Sequence, residues 1–150
     1  MTDIELVELS KQPILAIRTR TSLEDLPKVI SASYSKLMAY MDELGEPPTF
    51  APFTAYYNQD LRDLEVEMGF PVAKILPDKD EIHSSFIPAG KAATCMHEGP
   101  YSEMKMTYRD LFIWADKNGY EPVGVFYEYY FSKPEVPENA HVTKIVMPLK

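Results

Sequence analysis

A single cysteine, Cys95, is all the thiol in these 150 residues, which excludes an internal disulfide and suits a reducing compartment. Basic residues are also few: 15 Lys and Arg stand against 23 Asp and Glu, for a net charge of −8. Nucleic-acid binding draws on a basic footprint, so no direct contact with DNA or RNA is expected. An acidic surface suits cationic ligands or a basic protein partner instead. No apolar run approaches bilayer-spanning length, and the start Met1-Thr2-Asp3-Ile4-Glu5 lacks the basic-then-apolar pattern of a secretory signal. A cytoplasmic protein with no membrane association is expected. No phosphate-cradling glycine loop, Ser/His/Asp signature or paired-carboxylate motif is present. Cys95, His97 and His141 lack the close pairing of ligand motifs, so no metal and no cofactor is expected. Cys95 reads as a small buried hydrophobe.

What the chain has in quantity is tyrosine, ten residues, and proline, thirteen. Tyrosine joins apolar area to a polar handle, and the prolines mark frequent chain reversals. The length suits one domain, 1–150. A first extended segment spans about 4–19, with Pro13 breaking it. Thr21 and Ser22 read as caps for a helix carrying Val29, Ile30, Ser33, Leu37, Tyr40, Met41 and Leu44 at helical spacing. Gly45 ends it, Pro47-Pro48 forbid its continuation, and strands follow at about 50–58 and 64–74. The order then recurs. An extended stretch at 84–97 is interrupted by Pro88-Ala89-Gly90, and a helix from Tyr101 carries Met104, Tyr108, Leu111, Phe112 and Ala115 to Gly119. Strands at 123–132 and 140–147 close the chain.

Gly45 and Gly119 lie 74 residues apart, and Tyr57 and Tyr130 lie 73 apart. The near-constant offset predicts a duplicated β-α-β-β unit, with halves of about 1–76 and 80–150 joined by the solvated linker Asp78-Lys79-Asp80-Glu81. The fold class is α+β: two units related by a pseudo-twofold, helices packed on a largely antiparallel sheet, and a ligand cleft between the halves. The tyrosine offset sets Ala55 opposite Glu128 and Phe53 opposite Phe126, so a small residue opens space before the acid.

Glu128 is the residue that most invites a functional reading. It stands in Val125-Phe126-Tyr127-Glu128-Tyr129-Tyr130-Phe131, where five of seven residues are aromatic. Such a run reads as a strand buried on both faces, and an ionised carboxylate is costly to bury without a partner. Alternation puts Glu128 on one face with Phe126 and Tyr130. A carboxylate flanked by rings suits a lipophilic cation, which the rings attract and the acid neutralises. The bland alternative is a core glutamate satisfied by neighbouring phenols. Trp114 reads equally as a pocket wall and as a core anchor. Tyr34, Tyr57 and Tyr101 are candidate lining residues, although Tyr34 also suits a half-buried helix position and Tyr101 the turn after Pro100.

The set His97-Glu98-Gly99-Pro100-Tyr101, Leu111-x-x-Trp114, Gly119, Glu128-x-Tyr130 and the closing Met147-Pro148-Leu149 resembles the GyrI-like small-molecule-binding domain, also known as the effector-binding domain of AraC- and MerR-type regulators. The resemblance covers the whole chain. It implies the duplicated SOUL/SHS2-like fold, a ligand cleft, and a strand glutamate, here Glu128, as counter-ion for aromatic cations. The chain opens almost at once with its first strand, so a stand-alone member without a helix-turn-helix module is expected. The leading function is multidrug-type capture of amphipathic aromatic cations by Glu128, Tyr130, Phe126, Trp114, Phe53, Ala55, Tyr57, Tyr34 and Tyr101. One alternative is a hydrolase of cyclopropane-bearing genotoxins, with Glu128 as general acid or base and Tyr130 beside it. Another is a DNA gyrase inhibitory or protective protein. Gyrase or a separate transcription regulator are the protein partners these readings imply.

Overall fold

The computed structural model of the chain describes residues 3–132 and 136–150. In chain order its elements are β1 (Glu5–Leu9), β2 (Gln12–Thr21), α1 (Leu26–Leu44), β3 (Phe53–Tyr56), β4 (Leu64–Pro71), β5 (Ile82–Ile87), β6 (Gly90–Glu98), α2 (Met104–Lys117), β7 (Phe126–Tyr130) and β8 (Val142–Pro148). Short 3-10 turns precede α2 at Tyr101–Glu103 and β8 at Glu138–Ala140. The class is α+β, and the chain divides into two compact units. One comprises Ser10–Ala89, the other Met1–Leu9 with Gly90–Lys150.

In the Ser10–Ala89 unit, β2 pairs with both β4 and β5, and β3 pairs with β4, all antiparallel. The α1 helix starts at Leu26 with Asp25 in the capping position, later than the expected caps Thr21 and Ser22 and without a side-chain cap. The Ser22 hydroxyl accepts the Asp25 N–H at 3.2 Å, and a proline sits in the first turn, where its missing N–H costs nothing. It stops at Gly45, whose φ of +69° is the left-handed turn that glycine takes at least cost. Leu37, Tyr40 and Met41 of α1 pack on Leu15, Ile17 and Phe70 of the sheet. Gly69 sits where strand backbones pack closest: a Cβ there would lie 2.7 Å from Phe53 Cζ and 3.0 Å from both Ala16 Cβ and the Leu15 carbonyl oxygen. Gly69→Ala should therefore cost about 1–3 kcal/mol by overpacking, read as a fall in the urea midpoint.

In the other unit, β6 pairs with β1 and β8, and β7 pairs with β8, again antiparallel. Met104, Leu111 and Ala115 of α2 close over Ala93, Cys95, Phe126, Ile145 and Met147. Each unit thus runs strand, helix, strand, strand (β2-α1-β3-β4 and β6-α2-β7-β8), and in each the last strand pairs between the other two.

The units interleave, which differs from consecutive halves of about 1–76 and 80–150. β1 joins β6 rather than the strand that follows it, and β5 turns back onto β2. The acidic stretch 78–81 is not a boundary. It forms a turn inside one unit, where Lys79 bridges Ile82 and the Asp78 side chain accepts the Ser84 N–H at 2.8 Å. The extended stretch at 4–19 is accordingly two strands in different units. β7 is shorter than 123–132, because Gly124 turns with φ of +114° just before it.

Cys95 is 4% exposed under α2. Burial, with the Asp110 carboxylate adding to it, pushes its thiol up to about 11 from an ordinary 9.0. The folded chain favours the neutral thiol, so the resulting stability is present below pH 9 and is lost as the pH rises toward 11. Over that window urea denaturation should show a loss of about 2 kcal/mol that Cys95→Ala does not share.

Candidate functional site

Glu128 is held on the face of β7 that α2 covers, only 9% exposed. Across the ladder it lies beside Ile145 of β8, which is fully buried, so the carboxylate rests on apolar backing. It accepts from two phenols. Tyr108 of α2 donates to Oε2 at 2.5 Å, shorter than an ordinary hydrogen bond, and Tyr130 of β7 donates to Oε1 at 3.0 Å. Hydrogen bonds to the charged form are what a buried carboxylate requires.

Rings frame the acid. Tyr108 meets Phe126 edge to face, with centroids 5.7 Å apart and planes at 86°, and Phe112 meets the same ring at 5.6 Å and 69°. Phe112 is 39% exposed, so this aromatic group reaches the surface. The carboxylate supplies a countercharge, and the ring faces attract positive charge. The arrangement can therefore hold a cation with a large apolar surface.

Of the residues singled out in the sequence, the structure brings Glu128, Tyr130 and Phe126 together and adds Tyr108 and Phe112. Trp114 lies six residues along α2 from Tyr108 and stacks on Tyr120, with centroids 5.7 Å apart and planes at 8°, as an anchor of the core under that helix. The side chain of Tyr101 lies outside the described residues. Tyr34, Phe53, Ala55 and Tyr57 belong to the Ser10–Ala89 unit. Tyr34 donates to the Phe53 carbonyl at 2.6 Å and lies 3.1 Å from Thr54 Oγ1. Phe53 and Ala55 are fully buried, and Tyr57 donates to Glu67 at 2.8 Å.

The expected register of Ala55 opposite Glu128 is off by one residue. Ala55 pairs across the ladder with Glu67, on the sheet face turned away from α1. Thr54 is the helix-facing residue: Tyr34 of α1 reaches it as Tyr108 of α2 reaches Glu128. Both tyrosines and both strand residues stand 74 apart, the offset of the two helix-stopping glycines. On a strand a one-residue slip moves a side chain to the opposite face. The offset of 74 applied to Tyr34 leads to Tyr108, so the sequence held a signal for this residue.

Among the described residues no group of three or more His, Cys, Asp and Glu side chains is placed to hold a metal ion. His97 is structural, with one ring nitrogen 2.9 Å from the Thr107 hydroxyl and the other 3.0 Å from the Pro100 carbonyl. A surface cavity of about 430 Å³ in the Ser10–Ala89 unit lies between α1 and the turn before β5 and is not lined by Glu128. Its lysines are already engaged: Lys36 pairs with Glu81, and Lys79 with Glu43. Among the described residues no helix is long and apolar enough to cross a membrane.

No curated protein matches the chain. Among solved structures, the chain is similar to EcmrR in a DNA complex (TM-score 0.81, 21% identity, covering 99% of this chain and 57% of that one). It is also similar to the isolated EcmrR C-terminal domain (TM-score 0.77, 20% identity, 100% and 98%). The chain thus spans little more than half of EcmrR in that complex and nearly all of its C-terminal domain. A hydrolase from Listeria innocua shares the fold at TM-score 0.75 and 14% identity, over 98% of this chain and 91% of that one. So does SAV2435 bound to tetraphenylphosphonium, at TM-score 0.68 and 10% identity, over 99% and 94%. The sequence profile of one family matches residues 2–150, and the chain belongs to that family, the GyrI-like small molecule binding domain.

Proposed function

We propose that the chain captures amphipathic aromatic cations, with Glu128 as the counter-ion and Phe126, Phe112, Tyr108 and Tyr130 as the aromatic surround. The observation that carries this reading is a carboxylate 9% exposed that accepts hydrogen bonds from two phenols inside a group of rings. A similarly folded protein, SAV2435, holds the lipophilic cation tetraphenylphosphonium. Apolar area supplies most of the affinity, at roughly 25 cal/mol per Å² before the costs of association, and the carboxylate selects for charge. Calorimetric titration with tetraphenylphosphonium and with neutral triphenylphosphine oxide tests it. Binding of the cation alone supports the reading; equal binding of both, or of neither, overturns it.

The burial of Glu128 beside apolar neighbours favours a second reading, in which the same carboxylate acts as a general base and directs water onto a strained electrophile beside Tyr130. The hydrolase from Listeria innocua has the same fold. Turnover of a cyclopropane-bearing genotoxin that Glu128→Gln abolishes would establish it. An action on DNA gyrase draws on the net charge of −8 alone, and predicts salt-sensitive inhibition of supercoiling that survives Glu128→Gln.

A further inference from the structure

A second carboxylate is buried in the other unit, in different surroundings. Glu67 of β4 is 4% exposed, on the face turned away from α1, with Arg18 of β2 and Ala55 of β3 as its cross-strand neighbours. A buried carboxylate calls for a cation. The Arg18 guanidinium, which attracts Glu67 from across the ladder, makes its ion pair with Glu65, at 2.9 Å through Nε and 2.6 Å through its terminal nitrogen, and lies over the Tyr57 ring at 3.8 Å. Glu67 Oε1 accepts the Tyr57 hydroxyl at 2.8 Å, and Oε2 meets His83 Nε2 at 3.0 Å.

His83 comes from β5, with β2 lying between it and β4. The pair reaches across β2 at Ala16, the residue in register with both His83 and Gly69. A methyl group there leaves the span clear, so the sequence keeps a small residue beneath the bridge. His97 and His141 are 7% and 9% exposed, whereas the His83 side chain is 35% exposed. A carboxylate only accepts, so whenever the ring is neutral the nitrogen that meets Glu67, Nε2, is the one that carries hydrogen, and Nδ1 is the one with the lone pair. An acid placed in this way fixes the tautomer of an imidazole and steadies positive charge that develops on it.

We propose that Glu67 and His83 form a second, reactive site, at which His83 Nδ1 takes the acyl group of an activated ester. Nδ1 bonds to the carbonyl carbon, the ester C–O bond breaks, and the alkoxide or phenolate departs with the electron pair. The Nε2 proton passes to Glu67, leaving a neutral acyl-imidazole. Water then cleaves the acyl–nitrogen bond and releases the carboxylic acid, Glu67 returns its proton to Nε2, and the remaining water proton passes through solvent to the departed alkoxide or phenolate, which restores the ring and the carboxylate. Tyr57, under the stacked Arg18, holds the Glu67 carboxylate aimed at Nε2.

The probe is p-nitrophenyl acetate on the full chain, with phenolate release followed by absorbance and the acetyl group located by peptide mass spectrometry. Release should exceed that from N-acetylhistidine at equal concentration by about two orders of magnitude, the lower end of what positioned acid–base groups contribute. The acetyl group should sit on His83. His83→Gln should abolish the excess, and Glu67→Gln should return the rate to that of N-acetylhistidine. A wild-type rate no higher than N-acetylhistidine, acetylation confined to lysines, or a rate indifferent to Glu67→Gln would overturn the proposal. If Glu67→Gln does not fold, the His83 ring-nitrogen NMR shifts of the wild-type chain decide: hydrogen on Nε2 with a bare Nδ1 supports the site, and the reverse tautomer overturns it.

Discussion

Tetraphenylphosphonium should lose about two orders of magnitude in affinity when Glu128 becomes glutamine, while a neutral triphenyl analogue loses almost nothing. The side chains match in volume, so the rings contributed by Phe126, Phe112 and Tyr108 keep their places. What disappears is the charge, and a close charge pair sheltered from water is worth about 2–4 kcal/mol, which is the expected change in Kd. One of the Tyr108 and Tyr130 hydroxyls retains an acceptor in the glutamine carbonyl, and the other turns to accept from the amide nitrogen, which limits the disturbance to the fold. Calorimetry on both proteins with both ligands gives four constants. An equal loss for cation and neutral analogue would mean that the substitution damaged shape rather than charge, and would remove Glu128 from its proposed role.

The second large effect is on stability. Leu111→Ala should cost about 3 kcal/mol, because Leu111 is fully buried at the centre of the cluster that fixes α2 to its sheet. Removing a buried leucine forfeits its transfer free energy and leaves a cavity that neighbours fill only in part. Trp114 lies in the same cluster, so its fluorescence during urea denaturation reads the loss directly. Tyr108 stands three residues earlier on the helix, and a loosened α2 would also weaken the hydrogen bond to Glu128. Cation affinity should therefore fall with stability. A cost below about 1 kcal/mol would show that this cluster does not hold the helix in place.

How far the chain could be read without coordinates differs from element to element. Both helices were legible, because apolar residues recur at helical spacing and glycines at 45 and 119 stop them. The Glu128 face was legible too, since alternation on a strand is a local rule, and Phe126 and Tyr130 do share it with the acid. The register of the repeat failed on a coincidence. Tyr56-Tyr57 and Tyr129-Tyr130 are doublets that match at 73 or, shifted by one, at 74, and side chains on the two faces trade places between those choices. Tyr108 reads locally as one position of an apolar stripe, and only the offset of 74 from Tyr34 marks it, because its bond to Glu128 joins residues 20 apart through tertiary packing. Glu67 was hidden for the opposite reason. Alternating with Glu65 on β4 it reads as a solvated face, and its burial follows from His83 on a strand two places away.

The interleaved connectivity has a consequence for how the chain is made. The β2–β4, β3–β4 and β2–β5 ladders join residues that have all left the ribosome by Ala89. β1 is synthesised before any of them, yet its partner is β6, with Leu6 opposite Ala93. β1 must therefore wait for β6 while the whole Ser10–Ala89 unit is completed behind it. Closing that long loop carries an entropic cost that local ladders do not meet, so β1 should join late in folding. Its waiting edge is guarded in the sequence: Glu5 and Glu8 place charge on a strand that would otherwise offer Leu6, Val7 and Leu9 to a neighbouring nascent chain.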